Sequence, residues 1–155
     1  MTSFLFDLAF WLAAPFWLLM IFAPRWPWTL RVAASPLTVL PILAVYLALA
    51  IPVFPELWAA VSRPSLEGFR DLTAHADGAG AVWAQVIAWD LLLGQWMFLE
   101  SRRLGLSPLL MGPLLLLTIL LSPVGLLLFL AVRATAARTA ARPGATDRPS
   151  PARST

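Results

Sequence analysis

One acid stands inside an otherwise apolar run. Asp90 lies close to the midpoint of Val82–Leu99, a stretch long enough to matter to a lipid bilayer. An unpaired carboxylate at the bilayer centre costs about 3 kcal/mol or more. Protonation, a polar partner or a water-filled cavity must offset that cost. The residues one turn away on a helix are Val86, Ile87, Leu93 and Gly94, and none is ionisable. A strong partner must therefore come from another segment. An acid in this setting can give or take a proton without a metal; its structural role would be a neutral carboxyl bonded to a carbonyl freed by a proline. Gln95, in the same run, also needs a hydrogen-bond partner, on a neighbouring helix or on a ligand. Glu100, Arg102 and Arg103 close the run as a charged border group, the kind that fixes topology. Asp7 is about one turn from the chain start and within reach of headgroup water.

The residues that are missing exclude much chemistry. There is no cysteine, so disulfides, thiolate catalysis and cysteine-held metals are excluded. A single histidine, His75, rules out multi-histidine metal and haem centres within one chain. No glycine-rich dinucleotide motif and no phosphate loop is present. Acid–base chemistry with no cofactor and no metal is the enzymatic possibility that remains.

The elements that must position these residues follow from composition. Hydrophobic residues make up 60% of the chain and charged residues 12%, about half the usual charged share, so most of the surface must face lipid. A crossing helix needs roughly 20 apolar residues. Four runs qualify: Phe4–Ala23, Leu37–Phe54, Val82–Leu99 and Leu109–Val132. Backbone cannot be left unpaired in lipid, so these are expected to be helices. The expected fold is all-α: an integral membrane domain over residues 1–133 with four transmembrane helices and both ends on one side. Trp26, Trp28, Trp58 and Trp83 mark borders where amphipathic rings settle. In the long loop Pro55–Ala81, Leu66, Phe69 and Leu72 share one helical face, which predicts a short amphipathic helix at the interface between spans 2 and 3. His75, Asp77, Gly78 and Gly80 read as a polar turn into the third span. Pro15, Pro41, Pro52, Pro113 and Pro123 interrupt the spans, most sharply in Ser122-Pro-Val-Gly125, where a kink is expected.

Charge is uneven. All eleven basic residues are arginine. Residues 134–155 are rich in Arg, Ala and Pro and predict a disordered basic tail, suited to anionic headgroups; no aromatic platform accompanies it, so nucleic acid is not an expected partner. Arg25, Arg31, Arg102 and Arg103 on one side nearly balance Arg63, Arg70, Arg133, Arg138 and Arg142 on the other, so four spans give only a slight lean to both ends in the cytoplasm. The absence of Lys and Cys and the heavy use of Arg, Ala and Leu hint at a bacterial inner-membrane protein.

Several motifs together resemble one family. The run Ala88-Trp-Asp-Leu-Leu-Leu-Gly-Gln-Trp-Met-Phe-Leu-Glu-Ser-Arg-Arg103, then Gly105-Leu-Ser-Pro, then Ser122-Pro-Val-Gly-Leu-Leu127, is similar to the small four-span family named after plant neoxanthin synthase, of the abscisic-acid-deficient type. Ala23-Pro-Arg-Trp-Pro-Trp-Thr29 and Ser65-Leu-Glu-Gly68 resemble its first two loops. The likeness covers most of Phe4–Arg133. It implies carotenoid chemistry, in which a 5,6-epoxide opens to an allenic alcohol: one proton reaches the epoxide oxygen and one leaves a polyene carbon. Carried to this chain, the resemblance makes Asp90 the candidate catalytic group. Gln95, Arg102 and Glu100 become candidate substrate contacts.

Three functions stay open. The first is a cofactor-independent isomerase, or an accessory to one, acting on a carotenoid or other isoprenoid. The second is a non-catalytic scaffold that assembles with itself or another membrane protein, with Gly94, Gly112 and Gly125 permitting close helix contact. The third is a transporter of protons or a small solute, for which few further polar groups could line a path. Membrane lipid is an expected partner in all three.

Overall fold

The computed structural model describes residues 1–140, and every regular element among them is a helix. The chain is organised around α6 (Ala76–Arg103), a single helix of 28 residues. Asp77 in its first turn and Arg102 and Arg103 in its last match the helix dipole. It stops where Gly105 turns to φ 66°. Leu106 N–H then bonds to the Ser101 carbonyl at 2.9 Å and Gly105 N–H to Arg102 at 3.3 Å, which closes the helix end. The expected polar turn at His75–Gly80 is thus the first part of α6. Thr2 donates to Asp77 at 2.6 Å, and the bare backbones of Gly78 and Gly80 admit Leu72 and Leu49 against them.

Two segments flank α6. Helix α1 (Thr2–Phe22) runs parallel to it, since Phe6 stacks on Trp83 and Trp17 covers Gly94. After α1 come the short α2 (Pro27–Ala33), a 3₁₀ turn (Pro36–Val39) and α3 (Leu40–Ala50), with a bend of 70° between α2 and the turn that leads α3. Helix α3 runs antiparallel to α6: Thr38 meets Gln95 at one end and Leu49 meets Gly80 at the other. The core lies along this three-helix seam and includes Ala9, Ala13, Trp17, Ile42, Leu49, Ala84, Ala88 and Leu91. Half of these are alanine, the small residue that lets helices approach closely in lipid. Outward positions remain apolar, with Trp11, Phe22, Leu47 and Trp89 more than half exposed.

The long loop holds two helices. Helix α5 (Leu66–Ala74) matches the expected amphipathic element, and Ser65 caps it by accepting from Gly68 N–H at 3.0 Å. Helix α4 (Phe54–Ser62) was not expected and buries no residue. Leu72 ties α5 to the start of α6.

The run Leu109–Val132 differs most from expectation. It is not one helix but two, α7 (Pro108–Leu120) and α8 (Ser122–Ala140), broken at Leu121 with φ −146° and ψ 71°. In an unbroken helix, residues seven apart are separated by about 10 Å. A Cβ on Gly125 would instead stand 2.8 Å from the backbone nitrogen and Cα of Thr118. The chain therefore reverses, and α8 returns along α7. The expected kink at Ser122–Gly125 is a hairpin turn. Pro123 offers no amide and Gly125 no side chain, which permits the reversal. Hydroxyls hold it: Ser122 donates to the Thr118 carbonyl at 2.9 Å and Thr118 to Leu114 at 2.8 Å.

Both open ends of the hairpin lie beside the end of α6. Pro108 and Leu109 line a cleft with Phe22, Pro24 and Trp26, and Arg133 bonds to Glu100 at 2.8 Å. The first and last described residues thus lie at opposite ends of the bundle, against the expectation of a shared side. Helix α8 also continues through residues 134–140, where tail was expected. Ala134, Ala136 and Ala137 favour helix; the remaining tail, 141–155, lies outside the described residues.

By length and composition α1 and α6 can each cross a bilayer, and the bent pair from α2 to α3 can count as a third crossing; α7, with 13 residues, is shorter. Chain and bilayer therefore belong together.

Candidate functional site

Asp90 sits where three elements meet. On α6 it shares a face with Trp83, two turns earlier, and Gly94, one turn later. Helix α1 covers that face through Phe6 on Trp83, with ring centres 5.0 Å apart, and through Trp17 on Gly94. The tip of the α7–α8 hairpin completes the junction, because the Ser122 hydroxyl lies within hydrogen-bonding reach of the Asp90 carboxyl. The partner required from another segment is thus Ser122. The same hydroxyl lies 2.9 Å from the Thr118 carbonyl, so its single rotatable O–H can be given to that carbonyl or to the Asp90 carboxyl. Asp90 is half-buried.

Beside this junction runs an apolar groove of about 530 Å³ between α1 and α7. Phe10, Trp11 and Trp17 line one wall, and Gly112, Leu116 and Ile119 the other. Trp17 belongs both to the groove and to the packing around Gly94, one turn from Asp90. Gly112 keeps the α7 wall low: a Cβ there would meet no atom closer than Ile21 at 3.9 Å. On the Asp90 face, the indole Nε1 of Trp83 is buried without a hydrogen-bond partner. Leaving such a donor unpaired costs about 1–3 kcal/mol, so an acceptor brought by a bound molecule would be welcome there.

The other expected site residues are separated from Asp90. Gln95 is five positions on, about 140° around the helix, and faces α3. It is buried and donates to Thr38 at 2.6 Å, so it serves helix packing. Glu100 and Arg102 do come together, about 15–18 Å along α6 from Asp90. They line a cleft with Leu30 and Trp96 at the helix end. Glu100 is held by Arg133 at 2.8 Å and Arg103 at 3.6 Å. The four expected residues therefore form three places and not one pocket.

A family model described as ABA DEFICIENT 4-like matches residues 4–129. The chain belongs to the ABA4-like family. The family resemblance read from the Ala88–Arg103 and Ser122–Leu127 motifs is thereby shown. No curated protein and no solved structure matches the chain. Within this ABA4-like chain the two motifs have a spatial meaning: Asp90 comes from one and Ser122 from the other, and the hairpin brings them together. Sequence reasoning missed Ser122 as a site residue because it read the Ser-Pro-Val-Gly signal as a kink. Thr38 and Trp83 carried no distinguishing signal, since a threonine and a tryptophan are common at membrane borders. Among the described residues no cluster of His, Cys, Asp or Glu could hold a metal.

Proposed function

We propose that this ABA4-like protein binds a carotenoid or related isoprenoid in the groove between α1 and α7 and transfers a proton through Asp90. Family membership makes it a carotenoid-related membrane protein. The observation that supports the rest is the placing of one acid and one hydroxyl, Asp90 and Ser122, at the junction of the helices that bound an apolar groove. In this reading α1, α6 and the segment from the 3₁₀ turn through α3 cross the inner membrane of a bacterium. The groove takes the polyene, whose rigid apolar body suits aromatic walls.

The chemistry is an isomerisation, so nothing need be supplied from outside. A neutral Asp90 carboxyl donates its proton to the ligand oxygen and the C–O bond opens. The resulting carboxylate then takes a proton from the adjacent carbon, and the polyene absorbs the electron pair. One group can perform both steps, and the Trp83 N–H can hold a second oxygen on the same face. A purely accessory role would use the same groove without the proton transfer.

Mass spectrometry of organic extracts tests the reading. The detergent-purified protein should retain one polyene or isoprenoid near stoichiometrically. Asp90→Asn should retain it in altered amount or chemical form. Bulk phospholipid alone in both samples would overturn the ligand and leave the scaffold reading; a proton flux in liposomes abolished by Asp90→Asn would favour the transporter.

A further inference from the structure

The return of α8 along α7 changes where every charged segment lies relative to a membrane. The hairpin tip is level with Asp90, the midpoint of α6, because Ser122 reaches it there. From that depth α8 climbs back beside α6: Phe129 meets Trp96 edge-on at 5.5 Å, and Arg133 meets Glu100 at 2.8 Å. Thirteen residues of α7 span about 20 Å, well short of a hydrocarbon core of about 30 Å. Backbone polar groups at such depth must be satisfied within the protein. The side chains of Leu120, Leu121 and Val124 at the break face outward, but its backbone is paired: Leu121 N–H bonds to the Leu117 carbonyl at 2.7 Å, Gly125 N–H to the Leu121 carbonyl at 3.0 Å, and the Thr118 carbonyl accepts from Ser122 at 2.9 Å.

The consequence is a segregation of charge. At the Arg103 end lie Arg25, Arg31, Arg102, Arg103, Arg133 and Arg138 against Glu100, a balance of +5 over the described residues. At the Asp77 end lie Arg63 and Arg70 against Asp7, Glu56, Glu67, Asp71 and Asp77, a balance of −3. Four straight spans would have divided the arginines almost evenly. Arg31 lies 5.1 Å over the Trp28 ring, and Trp26 and Trp28 are more than half exposed beside it; cation and indole together suit the headgroup layer.

We propose that α7 and α8 form a re-entrant hairpin that enters and leaves the membrane on one side, so that the chain crosses three times and presents a single arginine face to the anionic phospholipid headgroups of the cytoplasmic leaflet. The N-terminus and α4–α5 then lie on the outer side, and the end of α8 that carries Arg133 and Arg138 lies inside with the other arginines of that end. Arginine in loops flanking spans is retained on the cytoplasmic side, and anionic lipid there attracts each charge near the surface. This reading does not depend on what occupies the groove.

The chain has no cysteine, so single cysteines can be introduced at exposed Ser3, Ser62, Ala34 and Ala137 without background. A membrane-impermeant maleimide applied to bacterial spheroplasts should label Ser3→Cys and Ser62→Cys directly, and Ala34→Cys and Ala137→Cys only after permeabilisation. Labelling of Ala137→Cys on the same side as Ser3→Cys would overturn the hairpin. Labelling of Ala34→Cys and Ala137→Cys from outside would overturn the leaflet assignment. Size-exclusion profiles matching the parent show that each variant is folded. Native mass spectrometry from nanodiscs of equal phosphatidylcholine and phosphatidylglycerol should show phosphatidylglycerol retained above its input share, with the excess lost in an Arg31→Gln, Arg102→Gln double variant. Equal retention of both lipids would overturn the headgroup contact.

Discussion

Replacing Gly125 with alanine adds one methyl group, and the sign of its effect depends on whether α8 folds back. That Cβ would lie 2.8 Å from Thr118 N and Cα, where ordinary contact begins at 3.4 Å. The obstacle is backbone, which cannot rotate aside, so the two helices must part by about half an ångström or more. Overpacking of this kind costs about 1–3 kcal/mol, and parting the helices also strains the Ser122 bond to the Thr118 carbonyl. Were 109–132 one continuous helix, the same substitution would stabilise by roughly 0.5–1 kcal/mol, because alanine loses less backbone entropy than glycine. Gly112→Ala is the internal control. It lies on α7 with its nearest neighbour at 3.9 Å, and should be neutral or stabilising by up to about 1 kcal/mol. The assay is denaturant unfolding in detergent micelles followed by the fluorescence of the eight tryptophans. A Gly125→Ala protein as stable as Gly112→Ala would refute the reversal.

Two further outcomes test the packing around α6. Thr38→Val leaves the buried Gln95 amide without its 2.6 Å partner. It should destabilise by about 0.6–1.7 kcal/mol without changing ligand retention, because Gln95 faces away from Asp90; loss of bound isoprenoid would place Gln95 in the site after all. Glu100→Gln removes the charge shared by Arg133 and Arg103. With the Arg133 and Arg103 side chains 47% and 82% exposed, unfolding should shift by only about 0.5–1 kcal/mol, less at high salt; a salt-independent loss would show that the contact acts through packing.

The membrane character was legible because it rests on composition, which no tertiary contact can alter. Helix α6 was legible too, apart from its start, since a long apolar run ending in Arg102, Arg103 and Gly105 carries its own stop signal. Asp90 stood out by depth alone. The hairpin was hidden for a physical reason: hydropathy counts apolar residues but is blind to direction, and Leu109–Val132 is as apolar folded in two as it is straight. Ser122, Pro123 and Gly125 encode the reversal, but the same residues also encode a kink, and only the missing Cβ facing Thr118 separates the two. Reading 109–132 as one straight helix also put the two ends on one side, whereas the return of α8 along α7 leaves the first and last described residues at opposite ends of the bundle. Gln95 could not be placed relative to Asp90 from the run alone until helix phase was counted: five positions from the acid, it points to another side of the helix, where it donates to Thr38.

Asp90 and Ser122 are best understood as one unit, and a double-mutant cycle can show it. Ser122 serves two partners, the Thr118 carbonyl at the hairpin break and the Asp90 carboxyl. Replacing Asp90 touches the second contact and not the first. Ser122→Ala should therefore cost more stability than Asp90→Asn, by about the 1 kcal/mol that a hydrogen bond contributes net. The Asn amide can still donate to Ser122, so Asp90→Asn should leave the hairpin intact while removing the transferable proton. Both single variants should lose conversion of any bound polyene, and the double variant should lose no more than the worse single one, because groups acting in sequence on one proton are not additive. Additive losses would mean that the two residues act on the ligand separately, and that the hairpin tip supports the fold without tuning the acid. Non-additive loss of conversion with additive loss of stability would mean that Ser122 holds the fold through Thr118 and positions the proton through Asp90. The break in the helix would then be the means by which this chain brings a hydroxyl to an acid in the middle of a membrane.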